Sequence, residues 1–349
     1  MNLHDSFDDT RHFKEVERKA KEVRSAFEKM ITKISSAFVG VSLTEGTIFS
    51  IDDYPRISIL VDSLLKSLTN ELVTIINRQT KDSWSRGTGK FMAEIKKATV
   101  GTNIPDELLK KAKVVNLEAL SSFQKRKANG INLSDRVWKI TTGFKKEMEF
   151  ALDVSLTKGD SAQDIARKIK HLLNNPDKLY RRVRDKHGNL VLSQNAKLFK
   201  PGNGVYRNSF KNAMRLSRTE NNIAYHSANY EKYNEFDFVV GIEVKLSNNP
   251  LHCPMCESLA GKYPKDFKFT GWHPQCRCTS IPILKTIEEM DRDNKLIASG
   301  KEPYLRSSNK VFNPPKGFVV YVTNNYENLL NAPNLPYFAA DNTKYIFKK

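Results

Sequence analysis

The sequence predicts a mainly α-helical N-terminal region followed by a small α+β module with a Cys/His zinc-type knuckle pair. Apolar residues recur at helical spacing through most of residues 8–173. The stretch Phe236–Leu246 instead alternates apolar residues with small or charged ones, as a strand does. All four cysteines follow that strand, between Cys253 and Cys278. We therefore predict four regions: an N-terminal helical region at 1–130, a helical region preceding the module at 131–178, the module with the Cys/His cluster at 179–285, and a C-terminal extension with short strands at 286–349.

Helices account for the first half of the chain in this prediction. The glycine-containing segment Ser85–Lys90 lacks the spacing of a phosphate-binding loop, and no apolar strand precedes it, so it is not predicted to bind a nucleotide. Apolar spacings of three and four residues predict helices over Asp8–Phe38, Arg56–Arg78, Lys90–Ala98, Pro105–Lys127 and Leu133–Leu156, with a shorter helix around Ile169.

The character of the sequence changes after residue 178. A hairpin is predicted over Tyr180–Leu192, with Gly188 in its turn, because Tyr180–Arg184 and Leu190–Leu192 flank a polar, glycine-containing segment. A long helix at Asn208–Glu235 precedes the Phe236–Leu246 strand. Beyond the cysteines the pattern predicts a strand at Thr279–Leu284, a helix at Ile287–Ala298, a strand at Phe318–Val322 and an extended tail from Asn324 that ends in a strand at Tyr345–Phe347.

The charge of the chain favours a polyanionic partner. The 349 residues carry a formal net charge of +18, and mean hydropathy is −0.52. Nucleic acid is the first candidate, although lysine-rich surfaces also serve solubility, and charge alone gives affinity without identity. The charged residues Met1–Glu15 do not form a signal peptide. Asp62, Lys66 and Glu71 interrupt the most apolar stretch, which argues against a transmembrane helix.

The cysteines form two tight pairs, as metal coordination requires. Cys253-x2-Cys256 is followed by His273-x2-Cys276-x-Cys278. Two short knuckles that the fold brings together are a common way to bind a structural Zn²⁺. Five candidates compete for about four positions: Cys253, Cys256 and Cys276 are expected, with His273 or Cys278 as the fourth ligand.

Two other states of these cysteines stay open at this point. The four thiols can form disulfides, or they can remain reduced in a packed loop. The chain is not cysteine-dense, which favours a reducing compartment. Catalytic zinc is not indicated, because the sequence contains no His-Glu-x-x-His motif.

A polar cluster lies in the predicted helix that precedes the module. Arg218 and Asn222 share one helix face, and Glu220 lies between them in sequence. The cluster is predicted either to fix the zinc loop or a partner, or to form a solvated face with one internal ion pair. An alternative hypothesis is a toxin-like or nucleotide-processing enzyme that uses Arg218, Glu220 and His226. Such an enzyme requires Arg218 and Glu220 to converge on a concave pocket.

The order of these motifs resembles the phage Mu F-like minor head proteins, also called phage head morphogenesis proteins. The resemblance covers roughly residues 133–284. Ala260 stands where that family tends to have a polar or acidic residue. The motifs that carry the resemblance are Arg218-Thr219-Glu220 in a helix, the following strand, Cys253-x2-Cys256, Leu259-Ala260-Gly261, His273-Pro274-Gln275-Cys276-Arg277-Cys278 and Pro282.

The resemblance implies a structural protein of a tailed phage or prophage, present in few copies per head. It implies portal and capsid proteins as partners, and a role in head assembly, DNA packaging or DNA delivery. The expected location is the head interior or portal region of the virion, and the host cytoplasm during assembly. No catalytic residue, small-molecule substrate or membrane is expected. Packaged DNA is a further candidate partner, and contacts with its phosphates would account for the net positive charge.

Overall fold

The computed structural model is mainly helical, with a small antiparallel sheet near the metal-ligand candidates. No helix in the part of the chain that the model describes combines the length and apolar character needed to cross a lipid bilayer. The described residues are 7–37, 39, 50–99, 106–155, 162–175, 182–184, 186–192, 206, 208–247, 253–304 and 306–347.

The predicted helices of the first half are confirmed, with different bounds in two places. The two helices predicted at 56–78 and 90–98 are one continuous helix. The helix predicted at 105–127 is two helices separated at 114–116, and Pro105 lies outside the described residues. The helices are α1 (Phe7–Ala37), α2 (Pro55–Ala98), α3 (Asp106–Lys113), α4 (Leu117–Lys125), α5 (Leu133–Ser155) and α6 (Ala162–Asn174), with a 3₁₀ turn at Ile51–Asp53.

The predicted hairpin, long helix and flanking strands of the module are also present. The hairpin pairs β1 with β2 in antiparallel register, with Val183 opposite Val191. Strand β3 is shorter than predicted, because Phe236–Phe238 forms a turn before it. The elements are β1 (Arg182–Arg184), β2 (Leu190–Leu192), α7 (Ser209–Glu235), β3 (Val239–Lys245), α8 (Pro254–Leu259), β4 (Gly261–Tyr263), β5 (Thr279–Leu284) and α9 (Ile287–Ala298).

The strands predicted near the C-terminus are wrong. Phe318–Val322 lies in a helix, because Phe318 and Val322 are buried four residues apart on one helical face. This packing overrides the β-propensity of the valines between them. The segment after Asn324 is not an extended tail, since Phe338 and Ile346 are buried in short helices. The helices are α10 (Lys316–Asn324), α11 (Tyr326–Leu330), α12 (Tyr337–Ala340) and α13 (Thr343–Ile346).

The chain divides into two compact units, each assembled from separated stretches. Unit 1 consists of Met1–Arg18, Asn77–Gly130 and Arg218–Lys349, and unit 2 of Lys19–Ile76 and Ile131–Ser217. All five metal-ligand candidates belong to unit 1.

Unit 2 is built around an apolar core of helices. The rings of Phe27 and Phe144 meet edge to face, with centroids 5.3 Å apart. One buried carboxylate has a structural role there: Glu147 Oε1 accepts hydrogen bonds from the backbone amide and hydroxyl of Ser209, at 2.6 and 2.5 Å. Glu147 thereby satisfies amide and hydroxyl donors at the first residue of α7.

Unit 1 contains a three-stranded sheet of order β4-β3-β5, with both pairings antiparallel. Ile242 at the centre of β3 lies opposite Tyr263 on one side and Pro282 on the other. An aromatic core packs in this unit. Its fully buried large side chains are Phe91, Tyr233, Tyr263, Phe267, Trp272, Phe318 and Phe338.

A glycine in the middle of α2 permits a close approach to α7. A Cβ atom added at Gly87 would lie 2.3 Å from the carbonyl oxygen of Tyr225 and 2.9 Å from the Cβ of Ala228. Gly89, two residues later, has no neighbour within 4 Å of its added Cβ. The Ser85–Lys90 segment is therefore a helix–helix contact point, and the glycine at 87 is required by packing.

Candidate metal centre

The first knuckle is the N-terminus of a short helix. Cys253 is the N-cap of α8, and its Sγ accepts a hydrogen bond from the backbone N–H of Cys256 at 3.3 Å. Pro254 occupies the first turn, where its missing N–H removes no helical hydrogen bond. This turn places the Cys253 and Cys256 sulfurs 3.1 Å apart.

The second knuckle is a tight turn in an irregular loop. The backbone N–H of Cys276 donates to the carbonyl of His273 at 3.0 Å. Gln275 completes this turn with φ of 63°, in the left-handed region that residues other than glycine seldom adopt. The turn brings His273 and Cys276 to the same side of the loop, toward α8.

The His273 imidazole points one nitrogen at the cysteines. Its Nε2 lies 3.2 Å from the sulfurs of both Cys253 and Cys256. Its Nδ1 lies 2.9 Å from the carbonyl oxygen of Pro274, which is an acceptor. A proton on Nδ1 leaves Nε2 with its lone pair toward the sulfurs, as a metal-ligating histidine requires.

The ligand-atom separations around Cys256 are close to those of a tetrahedral ion. With a Zn–S bond of about 2.3 Å, tetrahedral geometry separates two sulfur ligands by about 3.8 Å, and a sulfur from a nitrogen by about 3.6 Å. The observed separations are 3.1–3.2 Å within the group Cys253, Cys256 and His273, and 3.9 Å between the sulfurs of Cys256 and Cys276. Cys276 would have to move closer to the first group to complete a tetrahedron, because its sulfur is not within 4.8 Å of both Cys253 and His273.

Two overlapping groups of ligand atoms share Cys256. One contains Cys253, Cys256 and His273, and the other contains Cys256, Cys276 and Cys278, with all atoms of each group within 4.8 Å of one another. All four cysteines are free thiols. The structure thus brings all five predicted candidates together, and it places His273 against both cysteines of the first knuckle.

The electrostatics of the cluster favour a cation. Hydrogen bonds from Cys256 and Cys278 hold the pKa of Cys276 well below its ordinary value. Burial opposes ionisation of Cys253, but the Cys256 side chain and backbone amide lower the pKa of Cys253 overall. The contacts with Cys276 and Cys278 raise the pKa of Cys256 in turn. Several thiols this close cannot all ionise without a positive ion to offset their repulsion.

The Arg218 helix face contacts the second knuckle. The Arg218 Nη1 lies 3.5 Å from Gln275 Oε1, and the backbone N–H of Gln275 donates to Thr219 Oγ1 at 3.3 Å. The Asn222 Nδ2 donates to the carbonyl oxygen of Cys276 at 3.0 Å. Thr219 and Asn222 therefore position the backbone around Cys276, and Arg218 contacts the Gln275 side chain.

Glu220 faces away from the knuckle. It is 2% exposed, and its Oε2 accepts from Arg126 Nη2 at 2.8 Å. Arg218 pairs instead with Glu17, at 2.9 Å. His226 is also buried, at 1% exposure, and desolvation lowers its pKa to about 4. Arg218 and Glu220 thus form ion pairs with different partners.

Sequence patterns did not identify Glu17, His12 and Gln275 as partners of this region. Glu17 and His12 lie more than 200 residues before the knuckle. They belong to a helix that was predicted from its apolar stripe alone. Apolar spacing shows which face of a helix is buried, but it cannot show which polar residues on the borders of that face find partners. Local spacing identified the metal-ligand candidates because each knuckle is a single turn.

Comparison with known proteins supplies no relative. The chain has no significant match among protein-family models, curated proteins or solved structures. Functional inference therefore depends on the residues and geometry described above.

Proposed function

We propose that the knuckle pair binds one structural Zn²⁺ through Cys253, Cys256, His273 and Cys276. Three thiolates and an imidazole are a ligand set that Zn²⁺ favours, and four protein ligands leave no open position for a reactant. The observation that carries the proposal is the convergence of three ligand atoms on the Cys256 sulfur, which lies 3.1 Å from Cys253 Sγ, 3.2 Å from His273 Nε2 and 3.9 Å from Cys276 Sγ. Bound zinc would supply a cross-link between α8 and the irregular loop before β5.

Cys278 is left outside this ligand set. It is buried, and its sulfur belongs to the group with Cys256 and Cys276. Neither Cys276 nor Cys278 is in the group with Cys253 and His273, and Cys276 is preferred because its sulfur lies 3.9 Å from that of Cys256. The proposed second knuckle is therefore His-x2-Cys, with Cys278 a neighbouring thiol immediately before β5.

We further propose that the chain is a non-enzymatic minor head protein of a tailed phage or prophage. The motif order from Arg218 to Pro282 supports this, because it resembles the Mu F-like minor head proteins. Portal and capsid proteins are the proposed partners, with a role in head assembly, DNA packaging or DNA delivery. The net charge of +18 supports a location near packaged DNA, since basic residues gain affinity for phosphates by counterion release.

The separate ion pairs of Arg218 and Glu220 support a non-enzymatic role. Arg218 contacts Glu17 and the Gln275 side chain, and Glu220 contacts Arg126. Groups that act together on a substrate need to face one cavity. Here each side chain is engaged in holding neighbouring segments of the protein.

Metal analysis tests the zinc proposal. The wild-type protein, purified under reducing conditions without added chelator, is expected to contain close to one zinc per chain by elemental mass spectrometry. Cys253→Ser is expected to lose the metal. Ser258→Ala is a matched control, because it changes the same short helix without altering a ligand. Absence of zinc from the wild-type protein would refute the proposed site.

Particle composition tests the minor head protein proposal. Phage particles or prophage-derived particles from a strain that encodes this chain are purified by density gradient and digested for quantitative mass spectrometry. The chain is expected in the DNA-filled heads at few copies per head, far below the major capsid protein. Its absence from purified heads, with the major capsid and portal proteins detected, would contradict the proposal.

A further inference from the structure

The second knuckle also contacts the N-terminal part of α1. Arg277, which lies between Cys276 and Cys278, donates from Nη2 to Glu17 Oε1 at 2.9 Å. The other oxygen of the same carboxylate accepts from Arg218 Nη2 at 2.9 Å and from Nε at 3.1 Å. One carboxylate of α1 therefore joins a guanidinium of the knuckle to a guanidinium of α7.

A second, buried set of contacts also connects the knuckle to α1. Asn222 donates to the carbonyl of Cys276, and its Oδ1 lies 3.0 Å from His12 Nε2. The His12 ring is fully buried and stacks on Tyr225, with centroids 3.8 Å apart and planes 7° from parallel. Asn222 thus links the backbone of a metal-ligand candidate to α1.

A third contact lies where the chain leaves the knuckle. Lys90 is completely buried and donates to both carboxylate oxygens of Asp9, at 2.9 and 3.1 Å. The same ammonium donates to the carbonyl of Ser280 at 2.7 Å, two residues after Cys278. Asp9, His12 and Glu17 therefore all contact the knuckle, or the strand that follows it, directly or through one side chain.

We infer that metal binding at the knuckle is coupled to docking of the first helical segment, Phe7–Arg18, with Glu17 and Asn222 as the residues that transmit the coupling. This inference rests on the proposed metal site. The segment Gln275–Arg277 has no regular secondary structure; the proposed ligand Cys276 lies within it, and His273 lies two residues before it. A bound metal fixes this segment, and the fixed segment presents Arg277 and the Cys276 carbonyl to α1 and Asn222.

Linkage makes the coupling reciprocal. If metal binding favours docking of Phe7–Arg18, then docking must raise metal affinity by the same factor. Removing a docking contact is therefore expected to weaken metal binding although no ligand has changed. A contact that merely lies near the metal, without coupling, would leave the affinity as it was.

Chelator competition measures this effect. Glu17→Gln is expected to weaken Zn²⁺ binding about threefold, because the Glu17 and Arg277 side chains are both partly exposed and such pairs contribute little. Asn222→Ala is expected to weaken it about tenfold, because a buried hydrogen bond to the Cys276 carbonyl is lost. The control is Glu28→Gln, which removes the same charge from α1 but breaks only a local pair with Arg24.

Hydrogen exchange provides the second measurement, on the full chain. Zinc-loaded protein is expected to protect the amides of Phe7–Arg18, and chelation is expected to accelerate their exchange together with that of the knuckle. The loaded Glu17→Gln protein is expected to show partial acceleration in Phe7–Arg18 while it retains its zinc, and Glu28→Gln none.

Distinct outcomes separate this inference from the metal proposal. Wild-type affinity in both Glu17→Gln and Asn222→Ala, with each variant folded by circular dichroism, would overturn the coupling while the zinc site stands. The same holds if chelation accelerates exchange in the knuckle and leaves Phe7–Arg18 unchanged. A wild-type chain that binds no Zn²⁺ would refute the metal site itself.

Discussion

The two glycines of α2 allow the packing of α2 against α7 to be tested with a matched pair of substitutions. Gly87→Ala places a methyl group 2.3 Å from the Tyr225 carbonyl oxygen, a backbone atom that cannot rotate away. Gly89→Ala places the same group in open space two residues along the same helix. The two variants share the gain in helix propensity and differ in the steric conflict.

The expected free energies of unfolding have opposite signs. Replacing glycine by alanine in a helix interior stabilises by about 0.5–1 kcal/mol when no clash results. Relieving the overlap at residue 87 requires a shift of about 1 Å between packed helices, and overpacking of this kind costs about 1–3 kcal/mol or more. Gly87→Ala is therefore expected to destabilise unit 1 by about 2 kcal/mol, and Gly89→Ala to stabilise it by up to about 1 kcal/mol.

Tryptophan fluorescence during urea unfolding can report on unit 1 alone. The chain has three tryptophans, of which Trp84 and Trp272 are buried in unit 1, whereas Trp138 is partly exposed in unit 2. In a Trp138→Phe background the signal comes only from unit 1. A Gly87→Ala protein as stable as Gly89→Ala would show that the close approach of α2 to Tyr225 is incorrect.

Four further substitutions test the site and its surroundings. By elemental analysis, Cys278→Ser is expected to retain the metal and His273→Ala is expected to lose it. The reverse result would show that the second knuckle binds the metal as Cys-x-Cys. Burial raises the pKa of Glu94 to about 7 in the folded protein. The stabilisation that this shift provides is present in acid and is lost as pH rises from about 4.5 to 7. The Glu94→Gln variant should flatten the fall in Tm across that window, and an unchanged pH profile would contradict a buried, proton-binding Glu94. Arg126→Ala removes the guanidinium that contacts buried Glu220 and is expected to lower the free energy of unfolding in urea by about 2 kcal/mol. Ordinary surface substitutions change this free energy by less than about 0.5 kcal/mol. A change in that range would show that the pair is not structural.

Elements whose packing follows their local pattern could be predicted from sequence. The bounds of α1 fall within one residue of the prediction, and β5 matches the predicted Thr279–Leu284. The metal-ligand candidates were also accessible, because short spacings such as Cys253-x2-Cys256 place two ligands on one turn whatever surrounds them.

Elements decided by distant contacts could not be predicted. Helix α10 contains a valine-rich run that favours a strand by propensity. It forms a helix because Phe318 joins the aromatic core with Tyr263 and Phe267, at ring distances of 5.6 and 5.4 Å. For the same reason the sequence did not reveal the role of Glu17, because its partners Arg218 and Arg277 lie 201 and 260 residues away in sequence. Only the assembled fold brings such groups together.

The sheet of unit 1 has a consequence for solubility. Strand β5 forms one edge of the sheet, and an exposed edge is a template on which another chain can add a strand. Pro282 lies in the middle of β5, and proline is tolerated in an edge strand where its nitrogen faces away from the ladder. The carbonyl of Leu284 is taken by Asn309 Nδ2 at 3.0 Å. At these two positions the edge therefore offers another chain fewer backbone groups for strand addition.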